Sequence, residues 1–232
     1  MLPDDRHSVV AIDGPAASGK SSVARLLAQR LGFVYVNSGA MYRAVTWFIL
    51  QRGIDPSDAG RITSEVRHAA ITCDLQQNES RILINGVDPA PFLREDRVNN
   101  SVSAVSSVPD VREILVTKMR DYAKHHNLVM EGRDIGSVVF PETPFKFYIY
   151  AAPEVRLQRR VAQGERDQIA ARDQADSSRP TAPLVIAGDA QVIDTSHISL
   201  DDVVTEILKR LKTQGALGQP TLSERQSSKA LE

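Results

Sequence analysis

Val9-Val10-Ala11-Ile12-Asp13 leads into Gly14-Pro15-Ala16-Ala17-Ser18-Gly19-Lys20-Ser21, and this stretch decides the fold. The short apolar run predicts a buried strand. The next eight residues match G-x-x-x-x-G-K-[ST] in full. Ser21 to Leu31 then predicts a helix, because Val23, Ala24, Leu27, Ala28 and Leu31 fall on one face and Gly32 ends it. Strand, glycine-rich turn and helix in that order make a phosphate cradle. Successive backbone N–H groups can wrap phosphate oxygens, and the helix N-terminus adds partial positive charge. Lys20 is placed to reach the outer phosphates, and the Ser21 hydroxyl to hold Mg²⁺. The expected nucleotide-binding set is Gly14, Pro15, Ala16, Ala17, Ser18, Gly19, Lys20, Ser21 and Ser22.

Outward from the loop, Phe33-Val34-Tyr35-Val36 reads as a second buried strand. Ser38 is placed to cap a helix over 39–52, with Met41, Val45, Phe48 and Ile49 at helical spacing. Alternating strands and helices argue for an α/β fold with a parallel sheet. Around 71–94 the rhythm breaks. Ile71–Leu75 and Arg81–Ile84 are short strand candidates separated by a polar turn, and Asn85-Gly86 is a strong hairpin signal. Hairpins are antiparallel, so a small inserted lobe is expected here. Pro109 opens a helix to about His126. Leu128-Val129-Met130 and Phe145–Tyr150 read as strands, and Pro153 suits a helix start. Gln191–Asp194 is a last strand, and Ser199-x-x-Asp202 resembles a capping box opening a helix to about Lys212. The tail 213–232 is polar and aperiodic, so disorder is expected there.

The chain has 232 residues, enough for one sizeable domain with a small insertion. Its net charge of −1 supplies no field that would draw it to nucleic acid or a membrane surface. A single cysteine, Cys73, forms no intrachain disulfide or thiolate zinc site and is expected to be a buried hydrophobe. The N-terminus lacks a signal-peptide pattern, and no stretch approaches the roughly 20 apolar residues of a span. A cytoplasmic enzyme is the expectation.

The loop alone does not choose among kinases, GTPases, motor ATPases and nucleotide sensors. Neither N-K-x-D nor D-x-x-G occurs, which excludes a Ras-type GTPase. Leu128-Val129-Met130-Glu131 is followed by Gly-Arg-Asp, unlike a motor's Asp-Glu strand end. Arginines are spread beside strand ends and loops: Arg43, Arg112, Arg133, Arg156, Arg159, Arg160, Arg172 and Arg179. Guanidinium forks hold phosphate and neutralise a phosphoryl group in flight. Most arginines are solvated surface groups, but Arg133 follows a buried strand at the sheet edge where α/β folds bind ligands.

Asn37-Ser38-Gly39-Ala40-Met41-Tyr42-Arg43, Glu131-Gly132-Arg133-Asp134-Ile135-Gly136, Arg172-Asp173-x-x-Asp176-Ser177-Ser178-Arg179 and Ala182-Pro183-Leu184 follow the loop in order. From about Val9 to Lys212 the chain thereby resembles the bacterial cytidylate kinases, the CMP/dCMP branch of the nucleoside monophosphate kinases. The resemblance implies a P-loop NTPase three-layer sandwich over 8–212, with a central parallel sheet, an inserted monophosphate-binding lobe at about 63–108 and a lid at about 160–178. It implies ATP with Mg²⁺ as phosphoryl donor, CMP or dCMP as acceptor, and a monomer. Ser38, Arg43 and Arg133 would face the acceptor phosphate, and Asp134 the base. Ser103 and Arg112 would read the cytosine edge, and Arg172 and Asp176 would contact the nucleoside, with Arg179 near phosphate. Lys20, Arg133, Arg159 and Arg172 would be the catalytic cations. Glu131 stands where many relatives have Asp. The lid is short between Arg160 and Arg172, and Gln174 and Ala175 replace an inner arginine, which passes the lid's charge to Arg159, Arg166 or Arg172. Two rivals stay open from the residues alone. A kinase for a non-nucleotide alcohol would ignore every nucleoside monophosphate, and a sensor that has lost turnover would bind ATP without transfer.

Overall fold

A computed structural model describes residues 7–162, 169–179 and 182–215. Seven strands form one sheet in the order β3-β4-β2-β5-β1-β6-β7. They are β1 (Val9–Asp13), β2 (Val34–Asn37), β3 (Ile71–Gln76), β4 (Glu79–Ile84), β5 (Leu128–Gly132), β6 (Phe145–Tyr150) and β7 (Gln191–Asp194). β2, β5, β1, β6 and β7 are all parallel, as apolar runs buried on both faces require. β1 lies at the centre, between β5 and β6. Its carboxyl end is therefore flanked by the carboxyl ends of its neighbours.

The helices are α1 (Lys20–Leu31), α2 (Ser38–Gln51), α3 (Ala59–His68), α4 (Asp96–Ser106), α5 (Pro109–Ala123), α6 (Pro153–Ala162), α7 (Ile169–Ser177) and α8 (Leu200–Thr213). They cover the sheet on both sides. One apolar cluster joins α2, α3, α4 and α5 to one face through Met41, Phe48, Val98, Leu115 and Met119. The other joins α1 and α8 to the opposite face through Leu27, Phe147, Val204 and Ile207. This is the expected three-layer α/β sandwich.

Several boundaries differ from the sequence reading for local reasons. Asn37, not Ser38, caps α2: its carboxamide accepts the Ala40 N–H at 2.9 Å. Ser38 is thereby free to face inward. The β3–β4 hairpin turns at Gln77-Asn78, both with positive φ, which is the twist a two-residue turn needs. Asn85-Gly86 closes a second, one-bridge turn between Ile84 and Val87. The hairpin continues the central sheet through a parallel bridge of Tyr35 to Glu79. α5 ends at Ala123, three residues before His126. Cys73 is half-buried at the edge of the core, and burial pushes its thiol up. Ser199 does cap α8, accepting the Asp202 N–H at 3.2 Å. The expectations for residues 163–168, Arg166 among them, and for 216–232 lie outside the described residues.

Candidate active site

The phosphate loop leaves β1 at Gly14. A side chain there would collide with the Ile149 carbonyl of β6, so only glycine fits. Ala17 follows in the left-handed region at φ 58°, an unusual conformation for a residue with a Cβ. Side chains from α6, α7 and the end of β7 brace the loop. Arg159 donates to Ser18 O at 3.1 Å and to Thr195 O at 2.7 Å, and Thr195 Oγ1 donates to Ser18 O at 2.8 Å. Asp173 of α7 accepts the Ala16 N–H at 3.0 Å, while Arg156 donates to Ala16 O at 3.2 Å and pairs with Asp173. Lys20 Nζ donates to Pro15 O at 3.0 Å, arched back over the loop. Ser21 and Ser22 sit on the first turn of α1 and line the cleft.

Across the cleft, of about 800 Å³, lies a second set of polar side chains. Ser38 Oγ donates to Glu131 O at 2.7 Å, tying the start of α2 to the end of β5. Gly132 permits that approach, since a Cβ would come 2.5 Å from Ser38 Oγ. Arg43 Nε donates to Asn99 Oδ1 at 3.3 Å. Arg112 and Asp134 form a buried ion pair, and the Arg112 guanidinium lies 5.5 Å from the centre of the Tyr42 ring. Arg133 Nε donates to Asp176 Oδ2 at 2.9 Å, Arg179 pairs with the other oxygen, and Ser103 Oγ donates to that oxygen at 3.3 Å. Five elements thus meet at the floor: α2, α4, α5, α7 and the end of β5.

The charges are set by burial first and neighbours second. Burial pushes the Asp134 carboxyl up, against the pull of Arg112 and Arg179. Burial pushes Asp176 the same way, but Arg133 and Arg179 outweigh it and hold the carboxyl below its ordinary value. Asp13 has no such partner at hydrogen-bond distance, and burial raises it to about 6 despite bonds from Gly136 N and Ile135 N. Ser18 Oγ and Tyr42 Oη are buried without a hydrogen-bond partner, and both residues border the loop or the cleft. Buried orphans of this kind favour a ligand that supplies polar atoms.

The structure thus brings Ser38, Arg43, Ser103, Arg133, Asp134, Asp176 and Arg179 to the cleft that the phosphate loop closes on its other side, while Arg112 does not line it and reaches it only through its pair with Asp134. Arg172 lies on α7, but its side chain falls outside the described ones. Arg159, expected to face a transferring phosphoryl, lines the cleft and is here bound to the Ser18 and Thr195 carbonyls. Sequence reasoning gave no role to Asp13, Tyr42, Asp173 or Thr195. Asp13 and Asp173 were visible within the quoted motifs, but each accepts from backbone N–H groups far off in sequence, which no side-chain pattern announces.

A family model described as cytidylate kinase matches residues 10–213. A cytidylate kinase of Nocardia farcinica is 39% identical over 229 residues, covering 94% of this chain and 99% of its own. One from Caldanaerobacter subterraneus is 40% identical over 214 residues, covering 88% and 94%. An uncharacterised protein from Eubacterium ventriosum, 13% identical, superposes with a TM-score of 0.50 over 89% of this chain and 99% of its own, a likeness of fold alone.

Proposed function

The chain belongs to the cytidylate kinase family and phosphorylates CMP with ATP, and we propose how its residues divide that work. One observation carries the assignment: a phosphate loop and a buried arginine–carboxylate floor face each other across a single cleft. Phosphoryl transfer asks little covalent chemistry of a protein and much positioning and charge neutralisation. Gly14 to Ser22 with Lys20 hold the ATP phosphates. Ser38, Arg43 and Arg133 receive the acceptor phosphate. Ser103 and Arg112 read the cytosine edge, Asp134 faces the base, Asp176 and Arg172 contact the nucleoside, and Arg179 serves the phosphate. Arg159 acts through the loop carbonyl it binds, fixing the cradle's shape. The segment 63–108 is the acceptor lobe and 160–178 the lid of one kinase domain, and dCMP is a second acceptor.

Mg²⁺ fits the donor set. Among the described residues no cluster of three or more His, Cys, Asp or Glu could hold a metal alone. A hard cation bound by one hydroxyl, waters and substrate phosphates is the arrangement Mg²⁺ favours. Ser21 would be the protein's ligand, and the ion would supply charge neutralisation for the transferring phosphoryl group. No base is needed, since the acceptor oxygen belongs to a phosphate ionised near neutral pH. No described helix is long and apolar enough to cross a membrane. We expect a cytoplasmic monomer that takes small nucleotides and not nucleic acid.

The test is an ADP-release assay with Mg-ATP and a panel of CMP, dCMP, UMP, AMP and GMP, run beside Lys20→Ala. Turnover with CMP and dCMP that falls by about 10²- to 10³-fold in the variant, the cost of one lost charge-stabilising donor, supports the assignment. Silence across the panel with ATP still bound would move the acceptor elsewhere and reopen the sensor reading.

A further inference from the structure

Asp13 closes β1 one residue before the phosphate loop and is 6% exposed. Its Oδ1 accepts the Ile135 N–H and its Oδ2 the Gly136 N–H, each at 2.8 Å. These N–H groups begin a π-helical turn, Ile135–Val139, whose own preceding residue, Asp134, makes no side-chain cap. A carboxylate from the central strand therefore caps a turn that starts 122 residues further along the chain. A Cβ on Gly136 would meet the Lys146 stem at 3.1 Å and Asp13 Oδ2 itself at 3.4 Å. Arg133 and Asp134 immediately precede this anchored turn, and Gly14 immediately follows Asp13.

We infer that Asp13 is the positioning residue that sets the acceptor-holding loop against the ATP-holding loop. It touches neither nucleotide. It joins the two loops through one residue: its main chain continues into Gly14, and its side-chain carboxylate accepts two hydrogen bonds from the backbone turn that follows Arg133 and Asp134. In-line transfer is sensitive to small errors in the separation of donor and acceptor, so a pivot at this point is felt in the rate. Asparagine has one acceptor oxygen where aspartate has two. Its NH₂ would face a backbone N–H, so one of the two anchors is lost with almost no change of volume.

The inference rests on Arg133 and Asp134 serving the acceptor, so the experiment carries Arg133→Ala as a parallel arm. In the full-length enzyme, Asp13→Asn is expected to lower kcat by about 10- to 100-fold, the scale of an ångström-sized misplacement. KM for CMP rises, while the calorimetric Kd for Mg-ATP changes by less than about twofold. The pH profile of kcat at saturating CMP gives a second readout. The groups around Asp13 are Arg133 and Asp134 on its own bonded loop and Tyr148 on β6, with Lys146 behind Gly136. The acceptor phosphate itself gains a proton near pH 6, so both enzymes lose rate in acid; the wild-type rate falls more steeply below about pH 6, because protonated Asp13 also loses an acceptor, and the variant lacks that extra steepness. An acid fall equally steep in the variant, or an unchanged kcat, overturns the inference. So does a loss of ATP and CMP affinity in equal measure. If Asp13→Asn does not accumulate folded, Gly136→Ala displaces the same turn from its Lys146 side. The same split of kcat from ATP affinity supports the inference, and wild-type kinetics overturn it. Normal kinetics of Arg133→Ala would instead sink the acceptor-loop reading itself, and normal Asp13→Asn beside impaired Arg133→Ala sinks only the role of Asp13.

Discussion

Asp176→Asn is the substitution that best isolates the charge logic of the cleft floor. Asp176 is buried and serves three donors: Arg133, Arg179 and Ser103. Its two cations are themselves little exposed, with side chains at 16% for Arg133 and 8% for Arg179. Asparagine keeps the shape and removes the charge, leaving two guanidinium groups to face each other without a counterion. Breaking a buried pair in this way costs about 3–5 kcal/mol. The lower end applies, because the Asn oxygen still accepts one bond. In a chain of this size each kcal/mol moves the melting midpoint by about 2–4 °C, so a fall of about 6–12 °C is expected.

Calorimetric melts at neutral pH, with and without saturating CMP, read the effect. In the proposed complex the acceptor phosphate supplies the missing negative charge, so the deficit should narrow when CMP is present. The sign with pH is also fixed. The folded Asp176 carboxyl lies below its ordinary value of 3.8, so its stabilising contribution is present above that value and disappears as pH falls through the folded one. The gap between wild type and variant should therefore close in acid, below about pH 4. A midpoint within about 2 °C of wild type would refute the charge argument, since that corresponds to less than about 1 kcal/mol. A gap that widens with CMP would refute the idea that phosphate replaces the carboxylate.

Asp134→Asn should relax the preference for CMP over UMP, because a carboxylate accepts from the cytosine amino group and repels a uracil carbonyl; such mismatches are worth up to about 10⁴-fold, and an unchanged ratio of kcat/KM removes Asp134 from that role. Its ion pair with Arg112 means that the same variant should also melt earlier. Gly132→Ala places a Cβ 2.5 Å from Ser38 Oγ and 2.7 Å from the Ile135 side chain, and should cost about 1–3 kcal/mol by urea unfolding. Asp13 titrates with the opposite sign to Asp176. Burial raises it to about 6, so the folded state binds its proton more tightly than the unfolded state does. Its contribution to stability falls as pH climbs from about 4 to about 6, by up to about 3 kcal/mol, and urea midpoints of Asp13→Asn at either end of that window should lack this component.

What the sequence disclosed follows from the range over which each signal acts. The phosphate loop, β1 and α1 are contiguous, so their pattern carries the whole device, and the observed elements match within a residue. Periodicity likewise gave β6, β7 and α8. The cap of α2 was misjudged because both Asn37 and Ser38 are good capping residues. The choice was made by Glu131, whose carbonyl draws the Ser38 hydroxyl inward from another strand. The hairpin's pairing partner was invisible for the same reason: a one-residue bridge from Tyr35 to Glu79 leaves no periodic trace. Among the site residues, side chains inside motifs were legible. Their pairing into Arg112–Asp134 and Arg133–Asp176–Arg179 was not, because opposite charges far apart in sequence do not announce which will meet.

Those pairings bear on how the cleft receives a phosphate. Arg112, Arg133 and Arg179 are each already held by a carboxylate, and Arg43 by a carboxamide. An incoming dianion therefore does not meet free cations waiting in solvent. In the proposed complex it would exchange with Asp176 for part of the coordination of Arg133 and Arg179, so the net attraction would be a difference between two strong interactions and would stay moderate. Flexible arginines would lose rotamer freedom on binding, at about 0.5–1.5 kcal/mol each. Here that ordering has been done by the fold. The same arrangement explains why the anchoring carboxylates sit on α7 and β5 instead of the phosphate loop: a fixed negative charge on the ATP side would oppose the donor phosphates, whereas across the cleft it orients the cations that receive the acceptor. Asp173 is the exception, since its carboxylate accepts the Ala16 N–H of the loop itself. In the proposed complex an ATP phosphate taking that N–H would compete with Asp173 for it, which would link occupancy of the loop to the position of α7. Asp173→Asn should accordingly tighten Mg-ATP binding while Lys20→Ala weakens it, and calorimetry that finds the two variants moving together would show that Asp173 only braces the loop.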